Sequence, residues 1–187
     1  MGAIIVIALS AGGLAPLRQI VEALPPTCRA SVFIVQHVGA NPSVLPEILS
    51  WRGRLPAAFG RHGEIIERGR VYVAPSDHHM RLGFGTILLD REIKVHFTRP
   101  AADPLFVSAA ETYGARVVGI VLSGANSDGA EGLRMITARG GLSLVQHPDE
   151  AKYPDMPLAG LKRDHPEGAL TAAQLAERII AHCACND

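Results

Sequence analysis

The chain has 187 residues, of which 48% are hydrophobic, so it is long enough to bury the core of one domain of ordinary size. Its 18 basic and 18 acidic residues leave a formal net charge of zero, without a basic cluster, which disfavours nucleic acid or an anionic membrane as a partner. We also find no signal peptide and no run of membrane-spanning length. Three cysteines without a CxxC pair are typical of a reduced, cytoplasmic protein.

Short β-branched runs alternate with helical patterns along the chain, as in a parallel sheet with crossover helices. We predict strands at 3–9, 31–37, 117–122 and 142–146, and helices at about 14–24, 42–51, 102–113, 129–138 and 172–183. Residues 68–97 differ, because their short alternating runs are broken by Gly, Pro and Asp, and they predict antiparallel hairpins. The expected fold class is α/β: a doubly wound, mostly parallel sheet flanked by helices on both faces, with an attached antiparallel hairpin region.

The first strand ends in an unusual turn. In the stretch IVIALSAGGLAPL, residues 5–17, a run of β-formers stops at Ser10, and two glycines precede the next helix. Backbone N–H groups at the start of that helix point back toward the turn and stabilise negative charge. The turn therefore suits either a phosphate ligand or the oxyanion of an acyl-transfer reaction.

Polar residues follow three of the predicted strands: Ser10 after the first, His37 closing the second and Asp128 after 117–122. The carboxyl ends of strands in an open α/β sheet converge on one crevice, so these side chains are expected to meet there. A serine hydroxyl needs a base to take its proton, an imidazole can act as that base, and a carboxylate fixes the imidazole tautomer. The trio thus predicts nucleophilic catalysis.

Each member also has an ordinary structural interpretation. Ser10 fits the N-cap of helix 14–24, His37 fits a hydrogen-bonded histidine at a strand end, and Asp128 fits the N-cap of helix 129–138. A nucleotide-binding module is a further alternative, but neither G-x-G-x-x-G nor G-x-x-x-x-G-K-[ST] follows the first strand. The coincidence of all three residues at one sheet edge favours the hydrolase.

Five blocks, in order, carry a family resemblance: ALSAGGLAPL, FIVQHVGANPSVLPEIL, GRVYVAPSDHHMRL, TRPAADPLFVSAA and VVGIVLSGANSDGAEGLRMI. Over roughly residues 3 to 160 the chain resembles the catalytic domain of the chemotaxis protein-glutamate methylesterases of CheB type. The resemblance implies a serine hydrolase that demethylates glutamyl methyl esters on the cytoplasmic helices of methylated chemoreceptors and also deamidates glutamines. Its partner would be the chemoreceptor cytoplasmic domain, and its location the cytoplasm.

The resemblance also implies roles for individual residues. Ser10 falls on the family's nucleophile, His37 on its base and Asp128 on its acidic member. The oxyanion would be held by the backbone N–H groups of Ala11 and Ala125. No metal or organic cofactor is required for this chemistry.

Three further residues are candidates for the substrate cleft. His79 matches a family position near the cleft, although a hairpin histidine with a structural partner fits equally well. Arg99 would orient a carboxylate or, as we favour, pair with an acidic neighbour. Met156 lies in DMP where the family tends to read GMP, a charged change at the receptor-facing rim. A metal site at Asp77, His78 and His79 is disfavoured, because adjacent strand residues point to opposite faces.

Family members typically carry an N-terminal receiver domain that controls the catalytic domain, whereas this chain begins at the first catalytic strand. We therefore expect residues 1–187 to form a single CheB-type catalytic domain, either free-standing or cut from a longer protein, and a regulatory protein acting in trans becomes a candidate partner. Two rival functions remain open. One is an esterase or amidase of the same fold with a different substrate, and the other is a non-catalytic regulatory module.

Overall fold

The structure, a computed structural model, describes residues 2–38, 40–164 and 168–185. Its main sheet consists of β1 (Ile4–Leu9), β2 (Ser31–Gln36), β3 (Ala57–Phe59), β4 (Arg70–Val73), β7 (Val117–Val121), β8 (Leu142–Gln146) and β9 (Ala169–Leu170). A separate antiparallel hairpin contains β5 (His79–Gly83) and β6 (Thr86–Asp90). The helices are α1 (Leu14–Ala23), α2 (Leu45–Arg52), α3 (Ala102–Tyr113), α4 (Ala130–Ala138), α5 (Asp155–Asp164) and α6 (Ala172–Cys185), with a short 3-10 helix at Gly114–Arg116.

The strands of the main sheet pair in the order β3-β4-β2-β1-β7-β8-β9, and every pair is parallel. β1 is central and all six of its residues are buried. Successive side chains of a strand point to opposite faces, so Ile5 and Ile7 pack with α1, α2 and α6, while Ile4 and Val6 pack with α3 and α4. Burial on both faces explains the continuous apolar runs in the sequence, and the predicted α/β fold class is confirmed.

The prediction for residues 68–97 is wrong in one part. Arg70–Val73 is not a hairpin strand but β4 of the parallel sheet, where it pairs with β2 and β3. Its run Val71 to Val73 is buried, as in the other strands of the sheet, but it is too short to show that pattern against the polar residues around it. The antiparallel prediction holds for β5 and β6. The short strands β3 and β9 and the helix α5 were not predicted.

Helices α3 and α4 pack closely, since a Cβ at Gly132 would overlap the side chain of Phe106. Among the described residues, no helix combines the length and the apolar composition that crossing a bilayer requires.

Candidate active site

The carboxyl ends of β2, β1 and β7 bring the three predicted residues to one edge of the sheet. Leu9 pairs with Gln36 at the end of β1 and β2, and the next N–H along β2, that of His37, donates to the Leu9 carbonyl over 3.0 Å. On the other side of β1, the Ser10 N–H donates to the carbonyl of Ser123, which follows β7, also over 3.0 Å. Ser10 is therefore held between the strand ends that carry His37 and Asp128.

His37 and Asp128 form a direct, buried pair. His37 Nε2 lies 2.7 Å from Asp128 Oδ2, and the two side chains are 5% and 0% exposed. Since a carboxylate only accepts, Nε2 must carry the proton. The other ring nitrogen, Nδ1, is buried and has no hydrogen-bond partner among the described residues. In the neutral ring Nδ1 is thus a free lone pair, which is what a general base requires.

Asp128 is anchored by the amino terminus of α3. Its Oδ2 accepts from the Ala102 N–H over 2.6 Å, and its Oδ1 accepts from the Asp103 N–H over 3.0 Å. Burial alone would raise the pKa of Asp128, but the hydrogen bond and the charge of His37, together with these two amides, outweigh burial and lower it. The carboxylate is therefore ionised at neutral pH. It does not cap helix α4, whose N-cap is Gly129 and lacks a side-chain cap.

The turn after β1 leaves the Ser10 hydroxyl unengaged. Helix α1 has Gly13 as its N-cap and no side-chain cap, so Ser10 does not serve that structural role. Its Oγ makes no hydrogen bond to any residue within the described ranges. Gly12 has a φ of +78°, and an added Cβ would lie 2.7 Å from Ser123 Oγ, while one at Gly13 would lie 2.6 Å from Leu9 Cβ. These close approaches explain why two glycines follow the alanine after Ser10.

Backbone N–H groups border this turn on two sides. Neither the Ala11 N–H nor the Ala125 N–H donates to an acceptor in the part of the chain that the structure describes, and both residues are exposed. The turn that holds Ala125 is shaped by Asn126, which has a φ of 121° and whose Oδ1 accepts from the Asp128 N–H over 2.9 Å. Both amides are free to donate to a ligand, as an oxyanion site requires.

Ser123 joins the turn that contains Ser10 to the segment before α5, a role that the sequence did not reveal. Its buried Oγ donates to the Ala11 carbonyl over 2.8 Å and accepts from the Tyr153 N–H over 3.0 Å. Its own N–H donates to Oε1 of buried Gln146 over 2.9 Å. The available signal was its position, because Ser123 is another polar residue close to the end of a buried strand.

The three predicted cleft residues are not lined up along an open surface. His79 is fully buried, its Nδ1 accepts from the Ala101 N–H over 3.3 Å, and its Nε2 donates to the Ile93 carbonyl over 3.1 Å. Arg99 pairs with Asp77 over 2.7 Å, which is the structural alternative favoured above.

Met156 is fully buried as well. It lies beneath the turn beside Ser10, since a Cβ at Gly124 would overlap Met156 Sδ and lie 2.7 Å from Ser10 Cβ. His79 thus holds the segment before α3, Met156 packs under the turn at Gly124, and Arg99 is paired with Asp77.

A second histidine and carboxylate lie beside the first pair, and the sequence did not reveal them. His96 Nε2 is 3.0 Å from Asp103 Oδ2. Burial first, and then the negative charge of Asp128, raise the pKa of Asp103. One potential ligand atom each from His96, Asp103 and Asp128 lie within 4.8 Å of one another. The oxygens of both carboxylates already accept N–H donors from His37, His96 and backbone amides, so hydrogen bonds account for this cluster without a metal ion.

Comparison with known proteins identifies the family. The sequence profile described as CheB methylesterase matches residues 5–179. A Leptospira interrogans protein is 35% identical over 178 residues, which cover 94% of this chain and 92% of that protein. A Pyrococcus horikoshii protein named protein-glutamate methylesterase/protein-glutamine glutaminase is 31% identical over 94% of this chain, which spans 49% of that relative.

A solved structure supports the same relationship. The crystal structure of the Thermotoga maritima CheB methylesterase catalytic domain has a TM-score of 0.90 and 28% sequence identity, covering 97% of this chain and 98% of that one. The resemblance found in the sequence is thereby confirmed over nearly the whole chain. Fold, sequence profile and relatives agree that the chain belongs to the CheB methylesterase family.

Proposed function

We propose that this chain is a serine hydrolase that demethylates glutamyl methyl esters on the cytoplasmic helices of chemoreceptors and deamidates glutamines at the same site. The observation that carries the proposal is the buried pair of His37 and Asp128, whose free Nδ1 lies at the sheet edge that also holds Ser10. The names of the relatives, which join a methylesterase to a glutaminase, support the substrate class. The enzyme would act in the cytoplasm, and a regulatory protein acting in trans is a candidate partner.

The proposed reaction begins at Ser10. Its Oγ attacks the ester carbonyl carbon while His37 Nδ1 takes the hydroxyl proton, and Asp128 stabilises the imidazolium that forms. The carbonyl oxygen becomes an oxyanion, which the N–H groups of Ala11 and Ala125 stabilise. A single donor of this kind typically contributes about 2.7 to 4 kcal/mol.

Collapse of the tetrahedral intermediate breaks the bond to the methoxy group, and His37 Nδ1 returns its proton to make methanol. Water then attacks the acyl-enzyme, again losing a proton to His37, and releases a glutamate carboxylate and free Ser10. For a glutamine substrate the leaving group is ammonia, and the remaining steps are identical. Either substrate therefore ends as glutamate.

The test measures methanol release from methylated chemoreceptor cytoplasmic fragments by wild type, Ser10→Ala and a control, Thr27→Ala, whose exposed hydroxyl lies before β2 and makes no hydrogen bond among the described residues. We expect release by wild type and by the control, and none above background by Ser10→Ala, whose melting temperature should equal that of the wild type. Release by Ser10→Ala at the wild-type rate would overturn the assignment of the nucleophile. No release by any of the three folded proteins would overturn the receptor ester as substrate.

A further inference from the structure

Next to the catalytic pair lies a second hydrogen-bonded chain of three side chains. Ser127 Oγ is 3.5 Å from His96 Nδ1, and His96 Nε2 is 3.0 Å from Asp103 Oδ2. The other oxygen of Asp103 accepts from the Gly132 N–H of α4 over 2.8 Å. The backbone N–H of Asp103 donates to Asp128 Oδ1 over 3.0 Å. One residue of α3 thus joins this chain to the catalytic carboxylate.

The arrangement places two carboxylates side by side with one imidazole on each. Asp103 and Asp128 are both buried, and the negative charge of Asp128 is one reason that the pKa of Asp103 is raised. His37 is hydrogen-bonded to the Asp128 carboxylate, and His96 to the Asp103 carboxylate. A negative charge near His37 favours its imidazolium form, and a proton on His96 offsets the negative charge of Asp103. Protonation of His96 therefore reduces the net negative charge near His37.

Of the two histidines and two carboxylates, His96 has the most exposed side chain. Its side chain is 36% exposed and lines a cavity of about 380 Å³, together with Ser127. A hydroxyl both donates and accepts, so Ser127 suits the neutral ring and the imidazolium equally. His96 can therefore exchange a proton with water while its hydrogen bonds are kept.

We propose that His96 and Asp103 are positioning residues that set the electrostatic field at His37, with the charge on Asp103 favouring the imidazolium and the proton on His96 opposing it. The proposal rests on the proposed function, in which His37 is the base. Too much negative charge near His37 would hold it protonated at neutral pH and remove the base. His96 offsets that charge without touching substrate.

The other charged groups around this cavity keep a constant charge across the relevant pH range. Glu131 of α4 forms ion pairs with Arg134 and with Arg163 of α5, and its pKa is lowered to about 2 by these hydrogen bonds. Lys162 and Arg163 line the same cavity as cations. Among the described residues that line this cavity, His96 is the one histidine.

The experiment compares two nearly isosteric changes of opposite charge, His96→Gln and Asp103→Asn, with His62→Gln as a control on an exposed histidine. The asparagine side chain in Asp103→Asn keeps an acceptor for the Gly132 N–H, and its amide can donate to the other tautomer of His96. The pH profile of kcat/KM for methanol release is measured between about pH 5 and 9, a range that brackets the ordinary histidine pKa. In parallel, NMR follows the His37 ring through the same titration, a readout that needs no turnover.

We expect His96→Gln to move the acidic limb to higher pH and Asp103→Asn to move it to lower pH, each by roughly 0.5 to 1 pH unit. This is the order expected of one charge separated from His37 by the Asp128 carboxylate, at an effective dielectric constant of about 20 and with screening by salt. His62→Gln should move neither readout. A purely structural role would lower activity or melting temperature in both variants without shifts of opposite sign, and that result, or no shift, overturns the proposal. Because the NMR titration needs no substrate, it tests the field at His37 even if the receptor ester proves not to be the substrate.

Discussion

Replacing Asp128 by Asn tests how the carboxylate proposed to support His37 is held. The two oxygens of Asp128 accept three N–H groups: Oδ2 takes those of His37 and Ala102, and Oδ1 takes that of Asp103. An asparagine has one acceptor oxygen and one NH₂. With its oxygen in the Oδ2 position it keeps two of the three donors, and in the other orientation it keeps one, so the first orientation is expected.

The cost in stability follows from that count. The Asp103 N–H would face an NH₂ group, and a buried donor without an acceptor costs about 1 to 3 kcal/mol. Loss of a negative charge at the amino terminus of α3 adds about 0.3 to 1 kcal/mol. We expect Asp128→Asn to lower the free energy of unfolding by about 1 to 4 kcal/mol at pH 7, measured by urea denaturation. Asp149→Asn is the matched control, because that side chain is 94% exposed.

The same orientation predicts a moderate loss of catalysis. His37 would keep its proton on Nε2 and its base at Nδ1, so kcat should fall through the lost charge by clearly less than the roughly 10⁴-fold that a change of tautomer costs. A fall in kcat of about 10⁴-fold would mean that the Asn NH₂ group faces His37. The number of retained hydrogen bonds would then not decide the orientation of the side chain.

The pH dependence gives a second check. Because the pKa of Asp128 is lowered in the folded protein, its ionised form stabilises the fold above the ordinary carboxyl pKa of about 3.9, and this stability is lost as the pH falls through the folded value. The gap between wild type and Asp128→Asn should therefore shrink in acid. A gap that is absent at neutral pH, or that widens below about pH 4, would refute the reasoning.

Three further changes test the surroundings of the site. Gly124→Ala should lower the free energy of unfolding by about 1 to 3 kcal/mol, because the added methyl group overlaps Met156. In urea denaturation, the double variant with Met156→Ala should lose less than the sum of the two single losses. Additive losses would contradict the contact. Ser123→Ala removes two hydrogen bonds of a buried hydroxyl and should lower the free energy of unfolding by roughly 2 kcal/mol, which corresponds to a fall in melting temperature of about 4 to 8 °C. An unchanged melting temperature in calorimetry would contradict its bridging role. Glu131→Gln should cost about 0.2 to 1 kcal/mol at pH 7, since its ion pairs are exposed, and less near pH 2, where wild-type Glu131 is about half protonated; equal costs at both pH values in urea denaturation would contradict this.

Much of the fold could be predicted because the central strands are long and buried on both faces. Their signal is local in the sequence, as in the run Ile4 to Leu9. β3, β4 and β9 have only three, four and two residues, which is too short for a strand pattern to be recognised in the sequence. These strands exist because longer neighbours offer them a pairing edge.

The residues of the candidate site also differ in whether the sequence alone could predict them. Ser10, His37 and Asp128 could be found because the ends of parallel strands share one edge. Asp103 could not be found, since its importance comes from the approach of α3 to the segment after β7, 25 residues further along the chain. His79 was expected near the cleft, but along β5 its side chain turns inward to hold the segment before α3.

Backbone groups have most of the roles that the proposed mechanism requires around the three side chains. Amides of α3 hold Asp128, and the candidate oxyanion donors are the N–H groups of Ala11 and Ala125. A backbone donor is unaffected by the side chain attached to it, so these two N–H groups depend on the conformation of the turns and not on the alanine methyl groups. The proposed acyl transfer therefore depends on the turns after β1 and β7 as much as on the three side chains.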